Sequence, residues 1–402
     1  MSSKRPITLH FSRQLCVAGG TVQGEVELNF PLAQEDDIEE VHVKLSGSVK
    51  TNIYRNNTMI RESVHLLRED RVLWRRGTAY PPPGSHTLSF PFEFALPTHL
   101  PPSFHFNGFN VGGSVSYELE VVGVRRGTFH WNRRMQVPLA VVPSDTTGHS
   151  LRTAVQNGWR GAWATLTREE RVRKGVWGDH AHVKMILRLP DLIQFPLFTP
   201  IPFSIRIVTI SKPMKRENTP EDKPIFPTPP QYPEEIQFEL RRSVYVRAHA
   251  FDSRLGERAP FASGLTVDSS SLESTRLENV WIPSDDKEKG TWKQEVTFSS
   301  KFVLRCPPTF QTRILKNEYR LQVQLNFGGL FNKLYADFPI RVVSGLLPSS
   351  VQTDFASLSS STEGTSSSGG NRTTLDLPPS YWATNDWHDS KEDSEYDGYE
   401  AK

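Results

Sequence analysis

The sequence predicts an all-β protein: two antiparallel β-sandwiches in tandem, followed by a disordered C-terminal tail. Three observations carry this. Long stretches alternate apolar and polar residues, turn residues cut those stretches into short strands, and one compound signature occurs once in each half. The 402 residues are too many for one ordinary β core and suit two.

In the first half the alternation runs through Val22, Val26, Leu28 and Phe30, then Val41, Val43 and Leu45. It continues through Leu88, Phe90, Phe92, Phe94 and Leu96, then Val115, Tyr117, Leu119 and Val121. A period of two sends one set of side chains to a core and the other to water. Ala18-Gly19-Gly20, Pro81-Pro82-Pro83-Gly84 and Val111-Gly112-Gly113 supply the turns. The second half repeats the scheme in Val183, Met185, Leu187 and Leu189, in Phe203, Ile205 and Ile207, and in Ile236, Phe238 and Leu240. Its longest run is Tyr319, Leu321, Val323, Leu325 and Phe327, and Phe338, Ile340 and Val342 close the series. The repeated signature is Pro101-Pro102-Ser103-Phe104 ahead of Tyr117-x-Leu119-x-Val121, and Pro307-Pro308-Thr309-Phe310 ahead of Tyr319-x-Leu321-x-Val323.

These elements divide the chain into a first sandwich over 1–145, a connector over 146–181, a second sandwich over 182–346 and a tail over 347–402. In the connector, Thr167 followed by Glu169 and Glu170 has helix-start chemistry, and the stretch to Lys174 reads as a short helix or an ordered connector. The proline-dense stretch 213–233 and the serine-rich, charged stretch 252–290 read as long surface loops.

Residues 357–370 are almost entirely Ser, Thr and Gly, too little apolar surface to offset the entropy of ordering. Beyond them stands Leu377-Pro378-Pro379-x-Tyr381. A proline pair with a tyrosine two places on is the ligand that WW domains read. The prolines present polyproline II geometry at low entropic cost, and the tyrosine ring fills a pocket. A second copy, Pro229-Pro230-x-Tyr232, lies in the proline-dense stretch. It reads either as a second WW ligand, giving avidity, or as a tyrosine anchoring its own loop. The clusters Ser359-Ser360-Ser361 and Ser366-Ser367-Ser368 are candidate phosphorylation sites.

The net charge of +2 gives no case for nucleic acid. The tail is acidic and the body correspondingly basic, with one cluster at Arg125, Arg126, Arg133 and Arg134 and another at Arg168, Arg171, Arg173 and Lys174. These are either solvated surface or a docking face for acidic protein tails or anionic headgroups. Two distant cysteines, Cys16 and Cys306, with no CxxC pair, suit a reducing compartment and exclude a cysteine-based zinc site. No apolar run approaches the roughly 20 residues of a membrane helix, and Met1 to Pro6 lack the apolar stretch of a secretory signal. The expectation is a cytoplasmic chain with peripheral membrane contact only.

No phosphate loop, dinucleotide fingerprint or Gly-x-Ser-x-Gly elbow is present, and His180-x-His182 lacks a third ligand. No catalytic residue, metal or cofactor is therefore expected. A β-sandwich that binds or hydrolyses carbohydrate is the alternative, with Trp159, Trp163 and Trp177 as sugar platforms, but no paired carboxylates stand out.

Gly19-Gly20-x-Val22-x-Gly24-x-Val26-x-Leu28, Val41-x-Val43-x-Leu45-x-Gly47 and Gly84-x-His86-x-Leu88-x-Phe90-Pro91-Phe92-x-Phe94-x-Leu96-Pro97, followed by Leu100-Pro101-Pro102-Ser103-Phe104, resemble the arrestin family. The resemblance spans residues about 7 to 142 strongly and about 182 to 345 more weakly, and the tyrosine motif makes the chain similar to an α-arrestin. It implies two arrestin-like, immunoglobulin-like sandwiches acting as a non-enzymatic adaptor. Such an adaptor holds a WW-bearing, HECT-type ubiquitin ligase and brings it to the cytosolic tails of transporters or receptors. The cargo is then ubiquitinated and internalised at plasma membrane and endosomes, and the adaptor itself takes ubiquitin. A retromer-type scaffold without ligase recruitment is a further alternative.

Overall fold

Apolar alternation becomes strand pairing throughout the body. The computed structural model describes residues 5–12, 14–126, 131–174, 180–218, 224–259, 272–284, 288–328, 332–348, 375–378 and 381. The first lobe runs β1 (Ile7–His10), β2 (Cys16–Val17), β3 (Thr21–Asn29), α1 (Phe30–Glu35), β4 (Ile38–Arg55), β5 (Thr58–Arg75), β6 (Thr87–Ala95), β7 (Phe104–Gly108), β8 (Val111–Arg125), β9 (Arg133–Leu139) and β10 (Val141–Val142). After α2 (Thr146–Gln156) the second lobe runs β11 (Trp163–Val172), β12 (Ala181–Pro190), β13 (Phe195–Pro196), β14 (Ile201–Ile210), β15 (Ile236–Ala248), β16 (Phe251–Ala259), β17 (Glu273–Pro283), β18 (Gly290–Phe302), β19 (Phe310–Gln311), β20 (Leu315–Asn326), β21 (Lys333–Ile340) and β22 (Val342–Val343).

Each lobe has two main antiparallel sheets and one short parallel pair. In the first lobe the sheets are β1-β3-β6 and β5-β4-β8-β7, with β9 also on β8, and the parallel pair is β2 with β10. In the second they are β11-β12-β14-β18-β17 and β16-β15-β20-β19, with β21 on β20, and the parallel pair is β13 with β22. The inward residues of β8 (Val115, Tyr117, Leu119, Val121) and of β20 (Tyr319, Leu321, Val323, Leu325) are buried. Burying each such side chain stabilises the fold by about 1.5–3 kcal/mol.

The repeated signature makes the same corner twice. Tyr117 donates its hydroxyl hydrogen bond to Pro101 O at 2.7 Å, and Tyr319 donates to Pro307 O at 2.8 Å. Ser103 Oγ accepts from Val141 N, and Thr309 Oγ1 accepts from Val342 N. The backbone N–H groups of Ser103 and Thr309 donate in turn to Val141 O and Val342 O. Each corner therefore locks a proline pair onto the lobe's parallel strand pair.

Three strands, β11, β16 and β17, stand where other structure was expected. Residues Thr167 to Val172 are not helical: they belong to β11, which pairs in register with β12 from Trp163↔Pro190 to Val172↔Ala181. The helix of this region lies earlier, where Asp145 caps α2 by accepting from Gly148 N at 2.9 Å. Tertiary pairing overrides local helix-start chemistry here, and residues 163–172 belong to the second lobe. The stretch 252–290 is likewise not a loop throughout: β16 pairs with β15 and β17 pairs with β18, with a bulge between Leu277 and Val280. Residues 260–271 and 285–287 lie outside the described residues.

The lobes share a packed seam. Val244, Val246, Ala248, Phe310, Ile314 and Leu315 of the second lobe lie in the first lobe's apolar core. Phe104 and Phe310, which end the two proline-led tetrapeptides of the signatures, meet edge to face at 5.1 Å. Polar groups set the register. Thr51 Oγ1 donates to Arg247 O at 2.6 Å, Arg313 Nη2 donates to Glu62 Oε1 at 2.7 Å, and His249 N donates to Glu62 Oε2 at 2.5 Å. Gly113 permits the approach, since a Cβ there would lie 2.6 Å from Leu315 Cδ1.

Candidate functional site

The tyrosine motif of the tail lies against this seam. Leu375, Leu377 and Tyr381 are 2%, 9% and 9% exposed and belong to the apolar cluster centred on the second lobe. One backbone bond ties the segment to the body, Asp376 N donating to Arg305 O at 2.8 Å, and a turn within the segment is closed by Tyr381 N donating to Pro378 O at 3.0 Å. Arg305 directly precedes Cys306 and the Pro307-Pro308 corner, so the tail clips onto one of the two repeated corners. Burial pushes the Tyr381 phenol up to about 12, helped by the nearby Glu118 carboxylate. Tyr381 in turn helps raise Tyr117, whose own burial is the larger cause. Glu118 and Tyr117 are on β8 of the first lobe, so the tyrosine is felt by both lobes. Pro378 is half-buried, and Pro379 lies outside the described residues. So do residues 349–374 and 382–402, which include both serine clusters and most of the tail expected to be disordered.

A cation accompanies the docked tail. The Arg242 side chain is 10% exposed and pairs with Glu257 across β15 and β16. Its guanidinium lies over the rings of Phe104 at 5.1 Å and Phe106 at 5.6 Å. Its Nε and that of Arg305 have no hydrogen-bond partner among the described residues. Burial raises the Asp376 carboxyl above its ordinary range, and attraction to Arg242 opposes that rise. Burial and then Arg242 lower His105 on β7. Arg242 is a residue that the sequence reading missed. Its signal was legible, because it occupies the inward phase of Leu240, Val244 and Val246 on β15. Thr51 likewise follows Val49 in the inward phase of β4.

The second motif is turned the other way. Pro229 and Pro230 are buried, while Tyr232 is 64% exposed. Arg276 Nη2 donates to Pro230 O at 2.8 Å, and Glu235 Oε1 accepts from Gln231 N and Tyr232 N. Upstream, Gln294 Nε2 donates to Ile225 O and Pro227 O. The prolines are the fixed part of this loop, and the tyrosine projects from it.

The two basic clusters fall in sheets of different lobes. Arg125 and Arg133 both hold Asp36, Arg134 pairs with Glu120, and Arg126 pairs with Glu39. The first cluster is thus largely neutralised by local acids. Arg168 and Arg171 lie exposed on the edge strand β11, and Arg173 and Lys174 follow exposed just beyond it. Trp159 packs on the second lobe's cluster, Trp163 carries Arg188 over its ring at 5.7 Å, and Trp177 lies outside the described residues. Cys16 and Cys306 are buried free thiols that burial pushes up to about 12, so neither is poised as a nucleophile. Among the described residues no group of three His, Cys, Asp or Glu is placed to hold a metal. No helix among them is long and apolar enough to cross a membrane.

Comparison with known proteins agrees with this architecture. Residues 6–146 match the family described as arrestin (or S-antigen), N-terminal domain. No curated protein matches the chain. The matched span covers the first lobe from the residue before β1 to the first residue of α2. The first lobe is thus an arrestin N-terminal domain.

Proposed function

We propose that the chain is an α-type arrestin, an adaptor that brings a WW-bearing, HECT-type ubiquitin ligase to membrane-protein cargo for ubiquitination and endocytosis. The observation that carries this reading is the Leu377-Pro378-Pro379-x-Tyr381 motif on a chain whose first lobe is an arrestin N-terminal domain. The prolines and the tyrosine ring supply the two halves of a WW ligand. The two-lobed body supplies the surface for the cytosolic tail of a transporter or receptor, from the cytoplasmic side of plasma membrane and endosomes. The Pro229-Pro230-x-Tyr232 copy is secondary, because its buried prolines must leave Arg276 before they can be read. The exposed cations Arg168, Arg171, Arg173 and Lys174 offer an acidic partner or headgroup more than the neutralised Arg125 cluster does.

Proximity labelling in cells tests the proposal. The intact chain is compared with a variant carrying Pro378→Ala and Tyr381→Ala. The expected result is a HECT-type ligase labelled by the intact chain and lost from the variant, with membrane transporters or receptors labelled by both. An unchanged ligase signal in the variant would remove ligase recruitment through this motif.

A further inference from the structure

We propose that the seam between the lobes is a receptor for the chain's own Leu375–Tyr381 segment, and that this receptor and a WW domain compete for Tyr381. The proposal rests on the reading of Pro378, Pro379 and Tyr381 as a WW ligand.

Four observations carry it. Three apolar side chains of the segment are nine-tenths buried on the body: Leu375, Leu377 and Tyr381. The segment is registered by a backbone hydrogen bond, Asp376 N to Arg305 O at 2.8 Å. Arg242, itself nine-tenths buried with its Nε unpartnered among the described residues, attracts the Asp376 carboxylate. Tyr381 lies within electrostatic reach of Tyr117 and Glu118 of the opposite lobe. The seam therefore recognises a short peptide of mixed chemistry: two leucines flanking an acid, with a phenol following.

Competition follows from sterics. A WW domain inserts the tyrosine ring into its own pocket while the prolines cross an aromatic groove. A ring that is 9% exposed on the body cannot occupy a second pocket at the same time. The motif at Pro229 shows the opposite deficit, an open tyrosine behind buried prolines. In this conformation neither copy offers both halves of the ligand. The ligase-binding form is then a minority state, and its apparent affinity falls by the fraction undocked. A segment docked about 90–99% of the time weakens WW binding about 10- to 100-fold relative to the free peptide.

Leu375 gives a clean perturbation, because it lies outside Leu377–Tyr381 and is the most deeply buried residue of the segment. Leu375→Ala removes three buried carbons and shifts the docking equilibrium roughly 50-fold toward release. Asp376→Arg, which sets a cation against Arg242, is a second variant that also leaves the motif intact. The experiment titrates an isolated WW domain of a HECT-type ligase by fluorescence anisotropy against a peptide of residues 371–390, the full chain and both full-chain variants. The expected result is a peptide that binds, a full chain about 10- to 100-fold weaker, and variants that recover most of the difference. A full chain that binds as tightly as the peptide, or variants no tighter than the full chain, would overturn the competition while leaving the adaptor reading in place. A peptide that does not bind would remove the adaptor reading itself, and the competition with it.

Discussion

Removing one oxygen atom from Tyr319 tests the repeated corner on which the seam is built. The ring is 1% exposed, and its hydroxyl donates to Pro307 O at 2.8 Å. Tyr319→Phe keeps the ring, opens no cavity larger than an oxygen, and leaves the buried Pro307 carbonyl without this donor. Leaving a buried acceptor unsatisfied costs about 1–2 kcal/mol, near the lower end of the usual range because the desolvation of the hydroxyl is relieved at the same time. For a lobe of this size each kcal/mol lowers Tm by about 2–4 °C, so the expected shift is about 2–8 °C. Tyr117→Phe, which removes the 2.7 Å bond to Pro101 O, should cost about the same. Differential scanning calorimetry of the two single variants and the double variant measures this. The double variant should come close to the sum, because the hydroxyls serve separate carbonyls. Unchanged or raised Tm in both single variants would refute the idea that these hydroxyls hold the proline corners. Because Arg305 lies two residues before Pro307 and clips the tail, Tyr319→Phe should also loosen the docked segment.

Two further outcomes follow from the same contacts. Gly47→Ala should destabilise by about 1–3 kcal/mol in urea unfolding, since the new Cβ would lie 2.6 Å from Tyr117 Cδ1, and an unchanged midpoint would count against this packing. The phenol of Tyr381, held up to about 12 by burial and then by Glu118, should titrate late. A group whose docked pKa is raised contributes stability that is complete below the free value of 10.0 and is lost as pH rises through about 12. Phenolate absorbance of the full chain minus that of Tyr381→Phe should therefore show a transition well above 10.0, and one at the ordinary tyrosine position would mean an open ring.

What was legible in the sequence is what one-sided burial writes into it. β8, β12 and β20 each put one face in a core, so their alternation could be read directly. The duplicated signature was legible because each half needs the same hydroxyl-to-proline and hydroxyl-to-strand bonds. β11 was not, because nearly every side chain from Trp163 to Arg171 is wholly or partly open to water on a sheet edge, and helix-start chemistry was the stronger local signal. β17 was hidden for the same reason, being almost entirely exposed. The docked tail depends on long-range contacts that composition does not encode. Its two-residue spacing of Leu375 and Leu377 is the one local trace, and Arg242 in an inward phase of β15 is its counterpart in the body.

Hydrogen–deuterium exchange on the full chain, with and without a saturating WW domain, tests most directly whether the body holds the ligase ligand and yields it on binding. The account predicts that the Asp376 and Tyr381 amides, bonded to Arg305 O and Pro378 O, are protected in the free chain, and that Asp376 loses protection when the WW domain is added. Protection of Asp376 that persists at full WW occupancy, or that is absent from the free chain, would contradict it.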